Sequence, residues 1–139
     1  MIQIIAGEKG KGKTKYLLDK VNSEIKSVHG NIVYLDKNSK HMYELNNRVR
    51  LIDTCEFPIV NSDQFIGFIY GIISQDNDLE QLYFDSFLSI AKIKNDDISS
   101  TINSLEKISD KYNITLILSI SMDKEDLPEN MKSKVIISL

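Results

Sequence analysis

The chain has 139 residues, 42% of them apolar, with a formal charge of -3, and this length predicts a single domain over residues 1–139 built on one core. The slightly acidic balance gives no general basic footprint, so nucleic acid is not indicated as a partner. The single cysteine, Cys55, excludes an internal disulfide and a multi-cysteine zinc site, and no apolar run approaches the roughly 20 residues of a membrane-spanning helix.

Met1, Ile2, Ile4 and Ile5 form a short apolar run that predicts a buried strand, and residues 15–28 predict a helix. Nothing at the start resembles a signal peptide, and a reducing cytoplasm is the expected compartment. Between strand and helix, Gly7-Glu8-Lys9-Gly10-Lys11-Gly12-Lys13-Thr14 fits the pattern G-x-x-x-x-G-K-[ST] at every fixed position. Gly7, Gly10 and Gly12 lack a Cβ, so the loop can take positive φ and turn backbone N–H groups around a phosphate, and a bulky side chain at Gly7 or Gly12 would block that approach. Lys13 is placed to reach the β- and γ-phosphates of a triphosphate, and the Thr14 hydroxyl to join the shell of an octahedral Mg2+. The helix opening at Lys13 points the positive end of its dipole at the same anion. Glu8, Lys9, Lys11 and Lys15 complete the expected binding segment.

Gly30 and Asn31 provide a stop, and residues 32–35 predict a strand that ends at Asp36. Residues 39–47 suggest a short helix, and 48–54 a strand with Val49, Leu51 and Ile52 inward and Arg48 and Arg50 toward solvent. Asn61 and Gln64 make a capping box ahead of a long apolar helix over residues 62–75. Its stripe of Phe65, Ile66, Phe68, Ile69, Ile72 and Ile73 wraps almost all round. Two readings follow: packing within the chain, or docking of a second copy or another protein, with Gly67 and Gly71 allowing close approach in either case. Residues 80–85 predict a strand, 96–112 an amphipathic helix, 114–122 a strong strand and 135–139 a last strand. His29 and His41 have no companion at metal-ligand spacing and are expected at the surface.

Alternating strands and helices predict an α/β fold, a three-layer α/β/α sandwich around a mostly parallel sheet with right-handed crossovers. Ligands of such sheets bind outside the carboxyl ends of the strands, which singles out the acids that end strands. Asp85, closing the apolar run Leu82-Tyr83-Phe84, has the Walker B arrangement, in which the carboxylate helps orient Mg2+ beside Thr14; the alternative is an ordinary turn aspartate.

On these residues the chain resembles the P-loop NTPases and, within them, the RecA-like group, in the order of its elements and in the runs at 7–14, 32–36, 82–86 and 117–121. The resemblance implies a small stand-alone bacterial ATP-binding protein, with ATP and Mg2+ as its cofactors. It implies Lys13, Asp36 and Asp85 as catalytic residues: Asp36 would prepare the attacking water, Asp85 would serve the metal with Thr14, and Ser119 or Ser121 would sense the γ-phosphate. Many members carry a glutamate after the Walker B aspartate or at the end of the second strand, where this chain has Ser86 and Asp36; the shorter acid implies slow hydrolysis. A Mg2+-dependent ATPase coupling nucleotide state to conformation or assembly is the expected function. The alternative is a nucleotide or small-molecule kinase, for which Arg48 and Arg50 are a poor supply of arginine.

Overall fold

The structure, a computed structural model, describes residues 1–94 and 98–139. Six strands, β1 (Ile2–Ala6), β2 (Asn31–Asp36), β3 (Val49–Asp53), β4 (Leu79–Phe84), β5 (Thr115–Ile120) and β6 (Val135–Ser138), form one sheet in the order β3-β2-β4-β5-β1-β6. Every pairing among them is parallel. The helices are α1 (Lys13–Glu24), α2 (Ser62–Ser74), the single turn α3 (Phe87–Ile90), α4 (Ile98–Tyr112) and the single turn α5 (Glu129–Lys132).

Both faces of the sheet are covered, which is why its central strands read as unbroken apolar runs. Side chains alternate between two cores with period two. Ile4, Leu82, Phe84, Leu116 and Leu118 pack with Phe65 and Ile69 of α2 and Ile102 and Leu105 of α4. Ile5, Tyr34, Tyr83 and Ile117 pack on the other face with Leu17, Leu18 and Val21 of α1. The steps β1 to β2 and β2 to β3 run one way across the sheet, and the later steps run the other way. Their connections lie on opposite faces, as a single crossover hand requires. The expected three-layer α/β architecture is therefore present, and its sheet is wholly parallel among the described residues.

Several local expectations change. The first helix begins at Lys13 and its regular part ends at Glu24, short of residue 28. Residues 39–47 form only a 310 turn at Met42–Glu44. The single turns α3 and α5 are too brief to leave a periodic signal. The predicted helix 96–112 is α4, and its first two expected residues lie outside the described residues. Asn61 caps α2 by accepting from the Gln64 N–H at 2.8 Å, whereas the Gln64 side chain accepts from Val60 N and so bypasses the cap residue's own N–H.

Helix α2 packs most of its apolar stripe within the chain. Phe65, Ile69, Ile72 and Ile73 are buried and Ile66 and Phe68 are partly so, leaving an outer face of Asp63, Gln64, Gly67, Tyr70, Gly71 and Ser74. The glycines do not bring α2 close to the sheet, because a Cβ at Gly67 or Gly71 meets nothing within 4 Å. The stripe therefore covers one side of the helix, and the other side carries Asp63, Gln64, Tyr70 and Ser74 beside the two glycines.

No helix among the described residues is long and apolar enough to cross a membrane.

Candidate functional site

Register brings the site together. Leu35 pairs with Phe84, Phe84 with Leu118, and Ser119 with Ile5, so Asp36, Asp85 and Ser119 stand one step further on at a common level across the sheet. By alternation all three project toward the α1 face, since Leu35, Phe84 and Leu118 belong to the opposite core. The loop between β1 and α1 ends on that same face. A cavity of about 630 Å³ opens there, lined from the loop by Lys9, Gly10, Gly12, Lys13 and Thr14, and from the strand ends by Asp36, Asp85, Ser119 and Ser121.

The loop's glycines divide their work. Gly10 and Gly12 both take φ of 88°, in the left-handed region where a Cβ is disfavoured. Gly7 is outside that region, and a Cβ there would lie 3.0 Å from Leu139 Cβ, a tight contact that would press on Leu139. Of the expected binding segment, Gly7, Glu8, Lys11 and Lys15 do not line the cavity. Glu8 contributes through its backbone, where its carbonyl accepts from Lys13 Nζ at 3.0 Å and from Lys11 N at 3.3 Å. Lys13 is 8% exposed, and burial holds its ammonium below the ordinary value while the charge of Asp85 pulls the other way.

Asp85 is held on every side. Its Oδ1 accepts from Thr14 Oγ1 at 3.1 Å and from Ser119 Oγ at 3.2 Å, and its Oδ2 accepts from Tyr34 OH at 2.8 Å. Ser119 Oγ in turn accepts from the Ser86 N–H at 2.8 Å. Ser86 has φ of 56°, a strained conformation for a residue with a Cβ, and this bend directs its N–H at Ser119. Tyr34 stacks on Tyr83 with ring centroids 6.1 Å apart, and burial followed by the charge of Asp85 raises its hydroxyl far above the ordinary range, so it remains a donor. Tyr34 had no signal in the sequence beyond an aromatic in a strand. Its role comes from being one row beneath Asp85 on the α1 face.

Asp36 is the opposite case. It is 2% exposed, its Oδ1 accepts from the Lys37 N–H at 2.7 Å, and its Oδ2 has no hydrogen-bond partner. Burial first, and then the charge of Asp85, push its carboxyl up to about 6, against the Lys37 bond and the charges of His41 and Lys37.

The other candidates scatter. Ser121 is exposed past the end of β5 and lines the cavity. Arg48 donates to Ile25 O at 3.1 Å at the end of α1, and Arg48 and Arg50 line a separate cavity with Asn31 and Gln75. His41, expected at the surface without companions, is half-buried beside Asp36 and Asp85. Lys37 and Lys40 also line the site.

The fold is similar to that of the KaiC-like protein from the hyperthermophilic archaeon Pyrococcus horikoshii OT3, at 20% identity and a TM-score of 0.62, over 85% of this chain and 61% of that one. The likeness is one of fold, a RecA-like α/β architecture. This chain spans about three fifths of the length of that protein. No protein-family model matches the sequence, and no curated protein does.

Proposed function

We propose that this chain is an ATP-binding domain that hydrolyses the triphosphate with Mg2+ and couples nucleotide state to a change of conformation or assembly. The observation that carries the reading is the start of α1. That helix has no side-chain cap and no acid in its first turn, which instead carries Lys13 and Lys15. First-turn N–H groups without a side-chain cap, a positive dipole end and two cations are together unfavourable unless an anion completes them. A polyphosphate does so, with its tail along the Gly10 and Gly12 backbone and against Lys13.

The residues fit Mg2+, because the Thr14 hydroxyl and the Asp85 carboxylate offer hard oxygens 3.1 Å apart. When bound there, the ion would neutralise charge on the phosphates. The free Oδ2 of Asp36, on a carboxyl raised to about 6, suits Asp36 to accept a proton from water, while Asp85 is already engaged by three hydroxyls. Cationic support at the cavity comes from Lys9, Lys13, Lys37 and Lys40, and both arginines lie elsewhere, which favours hydrolysis over a kinase's arginine-bearing lid.

Thermal unfolding with a slowly hydrolysed ATP analogue and Mg2+ tests the reading. At ligand one hundred times its dissociation constant the wild-type chain gains about 2.7 kcal/mol, and Lys13→Ala gains none. An unaltered gain in Lys13→Ala would remove the loop from the site. Phosphate released from ATP without an acceptor separates hydrolysis from phosphoryl transfer.

A further inference from the structure

Three side chains from separate segments meet at the base of the cavity. Asp36 ends β2, His41 lies in the connection to β3, and Asp85 follows β4, and one ligand atom from each lies within 4.8 Å of the others. Two features set this apart from a crowding of acids. The first is Asp36 Oδ2, buried and without any hydrogen-bond partner. A carboxylate oxygen withheld from both water and donors is costly, and a cation satisfies its charge and its lone pair together. The second is the contact of His41 Nδ1 with Glu44 Oε2 at 2.6 Å. Donation from Nδ1–H to that carboxylate selects the tautomer in which the Nε2 lone pair is free, the support that metal-binding histidines ordinarily have.

We propose that Asp36, His41 and Asp85 form a site for a divalent transition-metal ion, distinct from the Mg2+ position at Thr14 and sharing Asp85 with it; Asp36 Oδ2 is free to accept a proton only while this site is empty. An imidazole among the ligands favours an ion of the Zn2+ kind over Mg2+, which prefers an all-oxygen octahedral shell. Asp36 and His41 supply the selectivity, because Asp85 already accepts bonds at both oxygens. Lys37 and Lys40 line the same cavity but are exposed, so solvent screens their repulsion. The site does not rest on the nucleotide reading, and it is measured without nucleotide.

The experiment is calorimetric titration of the chelator-stripped full chain with Zn2+ alone and with Mg2+ alone. A Cys55→Ser background removes the exposed thiol as a competing ligand. Zn2+ is expected to bind at least about tenfold more tightly than Mg2+, and His41→Ala and Asp36→Asn each to weaken Zn2+ by about tenfold or more. Glu44→Gln, an exposed change that leaves the fold alone, is expected to weaken it by about tenfold through the histidine. Metal-free melting curves establish that each variant is folded. Full retention of Zn2+ affinity in folded His41→Ala, or equal affinities for Zn2+ and Mg2+ in the parent, would overturn the site.

Discussion

Asp36 and Asp85 stand at the same level on adjacent strands and receive opposite treatment. Asp85 accepts three hydroxyl hydrogen bonds, which anchor it. Asp36 is left with a bare oxygen in a buried place, so its neutral form is favoured. The sign of the resulting pH dependence follows directly. The folded value of about 6 lies above the ordinary 3.8, so the contribution of Asp36 to stability is complete below about 3.8 and disappears as pH rises through about 6. Asn at this position is neutral throughout. In chelator and without nucleotide, Asp36→Asn is expected to be more stable than the wild-type chain at pH 7.5, by at most about 3 kcal/mol, with the gap closing as pH falls toward 4. Urea melts across that range measure it, and a gap independent of pH would show that Asp36 ionises normally.

At the level of elements, α2 and α1 show how absence can carry meaning. In α2 the glycines sit on the outer face with open space around them, so they weaken the helix without helping it pack. Gly71→Ala is therefore expected to stabilise the chain by about 0.5–1 kcal/mol, read as a higher urea midpoint with an unchanged slope. Destabilisation would mean that close approach at Gly71 matters. In α1 the lack of a cap and of first-turn acids is the informative gap, because a helix start without a partner is unfavourable unless something else fills it. The two cases differ in charge: the α2 glycines only leave open space, whereas the start of α1 lacks a side-chain cap and carries two lysines.

Across the whole molecule, the sheet order places the strands that carry the site at its centre. The loop strand β1 and the Asp85 strand β4 are separated by β5, and all three have a hydrogen-bonded neighbour on each side and a covered face above and below. Strands β3 and β6 are edges. Native-state hydrogen exchange is expected to show amides of β4 and β5 opening only with global unfolding, while those of β3 and β6 open locally at lower cost. Nucleotide should then slow exchange most in the globally protected set. Uniform protection across all six strands would contradict this ordering.

Much of this was legible from local pattern. The glycine- and lysine-rich run at 7–14, the apolar strand runs, and the aspartates that close two of those runs are all contiguous features, and they foretold the layered parallel fold and the placing of Asp36 and Asp85 at strand ends. Register was not legible, because pairing is decided between segments far apart in the chain, and with it went the Tyr34 and Ser119 bonds to Asp85. His41 gave no sign, since its companions come from the ends of two different strands and no spacing within one segment relates them. The amino-acid order thus determined which elements form and which strands end in acids, because short-range periodicity and turn preferences are written in neighbouring residues. Only the tertiary structure decided which carboxylate is anchored and which is left open, because that depends on burial and on donors delivered from other strands.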